Sequence, residues 1–441
     1  MSPGLTRLAL ASTHVDRYYV FAYFPGAWDV LMSLDPHADS MYSDSELLSN
    51  GIQRSLGFDG IDDSMLFDDT GLNLDSTPFA GGTVTTCLNP LLQTFGTGPA
   101  SGLTDVGMCI VRGMTMDTLT HQVGRRRFIT GKPPSGQNAR GSSISTVFAS
   151  LLRQVEPIPN LAAGVETYNV DQPEWATALS VARVDDLLRA LRPGNLSIAP
   201  EERERVQALL TEYRDCVVAR RSPVTLAASE ARLSASGLVS GGLDSAFDIF
   251  ASTPEMTDLR DRFRISGNSS GTVQARAAMV AQAIATQTSR VVSYQASDNL
   301  DTHFDNWLDD QFANQYVGWR ALAAMVDHLA SVPHPSSGLS MMEHTTILAF
   351  SDFSRTPLVN GNTGRDHWLM NNCMLLGKGI RHGIVGRSGD DGMAPVTATV
   401  DGVEEYIKPE HIHQALLHDI GMPPDTVDLR VAPYLDVLSA S

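Results

Sequence analysis

Cysteine is scarce. Cys87, Cys109, Cys216 and Cys373 are the only four in 441 residues, and no two stand at the C-x-x-C spacing of a thiolate metal site or redox pair. A disulfide framework is excluded with it, and the four are expected to be buried small hydrophobes. Long apolar runs are also missing. None approaches the roughly 18–20 residues needed to span a bilayer, and the opening MSPGLTRLALAS is a poor secretory signal. The compartment stays open: cytoplasmic as the chain stands, periplasmic if a leader has been trimmed. Basic charge is in deficit, with 32 Lys and Arg against 50 Asp and Glu and a formal net charge of −18. Such a surface repels phosphate backbones and anionic lipid, so neither nucleic acid nor membrane is an expected partner. A small anionic substrate would need bound cations to reverse the local field.

What is present is an ordinary globular composition, 42% hydrophobic and 19% charged, too apolar for disorder. RYYVFAYF (17–24) reads as a fully buried strand closed by Pro25-Gly26, and DVGMCIVRGM (105–114) as a second. SRVVSYQAS follows the Ala-rich helix 271–287 as a third strand, and HTTILAF (344–350) is a fourth. Residues 38–100 look loop-rich, and MLLGKGIRHGIVG (374–386) reads as a Gly-broken strand and turn. Helical spacing marks ARVDDLLRALR, PEERERVQALLTEYRDCVVARR, 314–332 and 409–421. Strands apolar on both faces and separated by long helices predict an α/β fold, a largely parallel central sheet with helices on both faces. With no repeat and no low-complexity linker, a single domain over 17–436 is expected, with a mainly helical elaboration around 150–260.

In such sheets ligands bind beyond the carboxyl ends of the strands. Here each strong strand is followed by metal-ligand chemistry: Asp29 after the first, His121 and Arg125–Arg127 after the second, Asp301, His303 and Asp305 after the third, and Asp352, Asp366 and His367 after the fourth. Histidines with several carboxylates make the ligand set of a divalent metal, zinc, manganese or iron. A lone Asp after a strand is more often a helix cap than a ligand, so the weight lies on four strands delivering to one edge. Asp35, in SLDP, reads as a cap or turn residue. His411, His413 and His418 read as a surface helix, because residues two apart point to different faces and cannot easily share a metal.

The pieces DTHFDN, SDFSRTP, NGNTGRDHW and LLGKGIRHGIVG, with RGMT, FITGKPP and DIGM, resemble the bacterial family labelled domain of unknown function 1501. That family is similar to the alkaline phosphatase and sulfatase superfamily, which implies a doubly covered, largely parallel sheet with a metal site at its carboxyl edge. Matching Thr130-Gly131 to the end of the sulfatase nucleophile motif puts His121 at the nucleophile position and Arg125 at the motif arginine. The same likeness makes Asp29 the first metal Asp, Asp352 the Asp of an Asp-His pair and His367 the last metal His, with Asp301 and His303 resembling the other pair. Two departures stand out: His121 replaces Ser, Thr or Cys, and Phe353 stands where the pair carries His. The expectation is a hydrolase of a small phosphate or sulfate ester holding one or two ions, with His121 either nucleophile or ligand. The alternative is an inactive, metal-stabilised binding or scaffold protein of the same fold. Arg125 and Arg355 are the candidates for clamping an anionic oxygen, Arg355 equally for an ion pair with Asp352 or Asp366. Asp366 and Trp368 are expected to support the site, Trp368 by packing under the loop or else by stacking on substrate. The arginine triplet is expected to divide between the site and surface salt bridges.

Overall fold

Every side chain of Tyr18–Phe24 is buried, and alternate residues feed two separate cores, Tyr18, Val20, Ala22 and Phe24 on one face and Tyr19, Phe21 and Tyr23 on the other. A strand with no polar face needs cover on both sides. The computed structural model, which describes residues 16–37, 76–152, 156–192 and 243–439 apart from 306, 363, 390–392 and 425, with short pieces of 201–212, supplies it.

The strands in chain order are β1 (Tyr18–Phe24), β2 (Ser76–Phe79), β3 (Gly82–Thr85), β4 (Val106–Thr115), β5 (Asn160–Ala163), β6 (Leu179–Val181) and β7 (Val291–Gln295). They continue with β8 (Thr345–Ser351), β9 (Ser354–Val359), β10 (Arg365–Trp368), β11 (Met370–Lys378), β12 (Gly383–Gly386), β13 (Thr397–Val400) and β14 (Val403–Tyr406). Eight of them form one sheet in the order β12-β4-β11-β8-β1-β7-β5-β6. All pairings are parallel except those of β11, which runs against both β4 and β8. Residues of helices 273–285 and 307–331 enter the core of one face, and residues of 121–130, 144–151 and 409–419 that of the other. The fold is thus α/β, with a large, mostly parallel eight-stranded sheet between helices.

Several local expectations are revised. The stretch after β8 is not a plain loop: β9 and β10 pair as an antiparallel hairpin across the NGNTG turn. Residues 76–85, within the segment read as loop-rich, form the hairpin β2–β3. The helix Pro409–Asp419 is not a surface helix, since His411 and His413 are fully buried and only His418 is exposed. Asp35 is no simple cap: it is buried, 3.1 Å from Arg112 Nε, and accepts a bond from the Ser388 hydroxyl at 2.7 Å. Cys87, Cys109 and Cys373 are buried and unpaired. Cys216 and most of the helical stretch 200–221 lie outside the described residues. Among the described residues no helix is long and apolar enough to cross a membrane.

Candidate metal centre

Because β1, β4, β7 and β8 run parallel, the segments that follow them leave the same edge of the sheet. Tight backbone approach brings them together. Gly26, just after β1, has φ +97°, and a Cβ there would lie 2.5 Å from the Asp301 amide nitrogen. Gly364, entering β10, approaches so closely that its Cβ would lie 2.2 Å from the His303 carbonyl carbon. Only glycine allows both contacts.

Three imidazoles and one carboxylate converge in this space. Asp301 Oδ1 lies 3.2 Å from His121 Nε2, 3.0 Å from His303 Nε2 and 3.4 Å from His367 Nε2. His303 Nε2 and His367 Nε2 are 2.9 Å apart. Each ring is fixed from behind through its other nitrogen. His121 Nδ1 is 2.8 Å from Asp352 Oδ2, His303 Nδ1 is 2.7 Å from Asp366 Oδ1, and His367 Nδ1 is 2.7 Å from the Leu119 carbonyl. A carbonyl can only accept, and so can an ionised carboxylate, which assigns the proton of each neutral ring to Nδ1. The Nε2 atoms then turn toward Asp301: those of His121 and His367 lie with an Asp301 oxygen within 4.8 Å of one another, and that of His303 stands beside Asp301 and His367.

Acceptors facing acceptors repel unless a cation lies among them, and the Arg355 guanidinium meets part of that need, donating to Asp301 Oδ1 at 2.7 Å and lying 3.3 Å from His303 Nε2. The Nε2 of His121 is buried and makes no aligned hydrogen bond. The spacing fits a metal: with Zn–N bonds of about 2.0–2.1 Å, tetrahedral ligand atoms stand roughly 3.3 Å apart. Far nitrogens held by carboxylates and a carbonyl are also the usual outer arrangement around metal-bound histidines. Without a metal, protons do part of the work. Burial pushes the His121 pKa down, but the carboxylates of Asp301 and Asp352 outweigh it and raise it to about 9. Hydrogen bonds from His121, then His367, with Arg355 adding to them against burial, hold Asp301 well below the usual carboxylate range. The four side chains are each between a fifth and about a third exposed, so the centre opens to solvent.

The other residues singled out in the sequence lie around this centre rather than in it. Asp352 is fully buried, and its oxygens accept from Tyr23 Oη at 2.6 Å, the Gly26 amide at 3.0 Å and His121. It orients a ring rather than facing the convergence point. Asp29 is placed elsewhere: it caps the short turn Val30–Met32 and is bound by the buried Arg365 at 3.0 Å and by Trp307 Nε1 at 2.8 Å. Those partners fill the coordination a metal would need. Arg355 is 1% exposed, donates to the carbonyls of Gly26, Ala27, Leu300 and Arg365 and to Asp301, and lies 3.3 Å from His303 Nε2. With those bonds made it ties three segments together and is no free clamp.

Arg125 remains partly exposed, paired with Glu166 at 2.6 Å and touching Tyr23. Arg126 shares Glu166, while Arg127 turns inward to the buried Glu410. Asp366 carries His303 and also accepts from Asn360 at 3.0 Å. Trp368 donates to the Met393 carbonyl and packs against the first core. Asp305 is exposed. Phe353 is buried and lies against His121 with ring centres 4.9 Å apart.

Nothing in the sequence marks Tyr23, the Leu119 carbonyl or Glu166 for this site. Asn360 does leave a signal, as the first residue of the NGNTG turn, where its side chain accepts from the amides of Asn362 and Gly364.

Fold and site together define an α/β protein whose mostly parallel sheet gathers a candidate metal centre of three histidines and a carboxylate at its carboxyl edge. The chain belongs to the family described as Protein of unknown function (DUF1501), whose model matches residues 97–431. One solved structure to which it is similar is titled "Crystal structure of Ps i-CgsB", at 9% identity and a TM-score of 0.35, over 92% of this chain and 72% of that one. No curated protein matches the chain.

Proposed function

We propose that this chain is a metal-dependent hydrolase of the alkaline phosphatase and sulfatase type, acting on a small phosphate or sulfate ester with water as the nucleophile. The observation that carries this reading is the meeting of His121 Nε2, His367 Nε2 and the Asp301 carboxylate within 4.8 Å of one another, with His303 Nε2 beside them and each ring braced from behind. A divalent cation of the zinc type would lower the pKa of bound water to ~7 and polarise an ester oxygen. His121, His303, His367 and Asp301 would hold it. Asp352 and Asp366 keep two of the rings in the tautomer that offers Nε2. His121 spends one nitrogen on Asp352 and turns the other to the centre, so it serves as a ligand and not as nucleophile. Asp29 and Asp352 are taken up by Arg365 and by Tyr23, Gly26 and His121, which supports one ion rather than two. Arg125, part-exposed behind Tyr23, is the residue best placed to meet an anionic oxygen, by exchanging its hold on Glu166.

One observation favours the second reading, an inactive metal-stabilised binding or scaffold protein. Phe353 fills the place beside His121 where a paired histidine would complete a second site. Metal content by plasma mass spectrometry, on wild type, His303→Ala and His367→Ala purified without chelator or His-tag, tests both. A transition metal present in wild type and lost in both variants, together with turnover of an aryl phosphate or aryl sulfate, is expected. Metal without turnover leaves the scaffold reading. No metal in wild type after incubation with zinc and manganese overturns both.

A further inference from the structure

At the opposite, amino-terminal edge of the sheet lies a second group that the reading above does not use. Asp16 precedes β1, His344 precedes β8, and His334 lies in the turn between helix 307–331 and β8. His334 is 2% exposed, and its Nε2 is 3.2 Å from Asp16 Oδ2. His344 Nδ1 is 3.9 Å from the same oxygen and 3.0 Å from the Asp16 carbonyl oxygen. The two rings stack with centres 4.0 Å apart and 21° between planes. Ser337 touches both far nitrogens, His344 Nε2 at 2.7 Å and His334 Nδ1 at 3.3 Å, and Ser336 reaches His334 Nδ1 at 3.2 Å.

Two imidazoles stacked this closely cannot both carry a proton without strong repulsion. His334 Nε2 faces the Asp16 carboxylate, with the Gln287 amide nitrogen 3.4 Å away, while His344 Nδ1 faces the Asp16 carbonyl with the carboxylate behind it. The serine hydroxyls can donate or accept, so either tautomer of each ring is supported from behind. The surroundings are charged but balanced, because Arg290, 3.7 Å from Asp16 Oδ1, is also paired with the buried Glu156.

We propose that Asp16, His334 and His344 form a second metal site, structural rather than catalytic, which takes a zinc-type divalent cation between His334 Nε2, His344 Nδ1 and an Asp16 carboxylate oxygen. The three donor atoms already lie within 4.8 Å of one another. Two imidazole nitrogens with a carboxylate oxygen suit zinc in preference to magnesium or calcium, which take oxygen alone. On binding, the His344 proton moves from Nδ1 to Nε2, where Ser337 accepts it, and the Asp16 carbonyl is left free to join as a further oxygen donor. The ion would pin the segment entering β1 to the segment entering β8, two neighbouring central strands.

The test uses the full chain, stripped with a chelator and titrated with zinc against a chromogenic competitor, so no turnover is read. His303→Ala removes the first centre from the count. In that background His344→Gln and, separately, Asp16→Asn are each expected to bind one zinc fewer per chain. Cobalt(II), as a coloured substitute, should give d–d bands in His303→Ala that vanish in the double variant. Zinc should raise the melting temperature of His303→Ala and leave that of the double variant unmoved. Circular dichroism checks that the folds are equivalent, and Asp16→Asn, at a half-exposed position, carries the test if His344→Gln does not fold. If both substitutions leave the zinc count of His303→Ala unchanged, the site does not exist.

Discussion

Asp352 shows how much one buried residue decides at the candidate centre. Its charge selects the Nδ1-protonated form of His121 and so turns the Nε2 lone pair toward Asp301. Asp352→Leu keeps roughly the volume but removes the acceptor that holds the His121 Nδ1 proton. The ring is then no longer fixed in the tautomer that turns its Nε2 lone pair to Asp301. Zinc affinity is expected to fall by about 10–100-fold, as for other outer partners of metal-bound histidines, in a competition titration; unchanged affinity would leave Asp352 without that role. Asp29→Asn separates the opposite case. It breaks a fully buried ion pair with Arg365 and should cost about 3–5 kcal/mol of stability while metal stoichiometry stays that of wild type. Loss of metal at intact stability would instead make Asp29 a ligand. His413 gives the pH prediction. Burial pushes its pKa down to about 3, with neither nitrogen hydrogen-bonded, whereas the unfolded chain binds that proton near pH 6.5. Between those values the unfolded state holds the extra proton, so stability drops as pH falls, by up to ~1.4 kcal/mol per pH unit for this group. Denaturant melts of chelator-stripped protein at pH 7.5 and 4.5 should show a smaller acid loss in His413→Leu than in wild type. Parallel losses would mean that His413 is not held neutral.

The hairpin β9–β10 is where the site is built at the level of an element. In a regular strand adjacent side chains point to opposite faces, yet Asp366 and His367 both reach His303, one at each of its nitrogens. The strand register slips between Arg365 and His367, a bulge-type irregularity of the kind that re-aims side chains near functional sites. Gly364 lets this hairpin lie against His303. Gly364→Ala should therefore push the hairpin off and lower metal content, whereas Gly361→Ala, in the same turn with open space around it, should leave metal content at the wild-type level. Equal metal content in the two variants would show that the close approach does not position the centre. None of this was visible from the sequence. RDHW announced ligand chemistry, but SRTPLV, with its proline and arginine, does not read as a strand, and a register slip has no composition of its own. β1, β4, β7 and β8 were legible because an uninterrupted apolar run between turn signals has few other uses. Asp29 and Asp352 could be placed after their strands, but not their partners. Arg365 lies 336 residues from Asp29, and Tyr23 lies 329 from Asp352, so the sequence could show where a carboxylate emerges and not what it binds.

Across the whole molecule, direction does most of the positioning. Seven of eight sheet strands share one sense, so the segments from β1, β4, β7 and β8 leave a common edge, and the lone antiparallel β11 fills the gap between β4 and β8 without adding a ligand segment to that edge. The expected parallel sheet and the ligand-bearing edge follow from the same reading of buried strands. The antiparallel strand does not, since MNNCMLLGK is as apolar as a parallel strand would be. Net charge acts at this scale too. With 50 acidic against 32 basic residues the molecule carries −18, so the anionic ester proposed as substrate would approach against a repulsive field until within reach of Arg125 and the proposed metal. Salt shortens that field from about 30 Å at 10 mM to about 8 Å at 150 mM. For the proposed hydrolase, kcat/KM toward a dianionic aryl phosphate is therefore expected to rise over this range, while kcat, which starts from bound substrate, stays level. A neutral aryl ester of similar size, if turned over at all, should show no such rise. If kcat/KM for the dianion falls instead, the local field of Arg125, Arg126 and the metal reaches further into solvent than the acidic surface, and capture is steered by the site rather than opposed by the molecule.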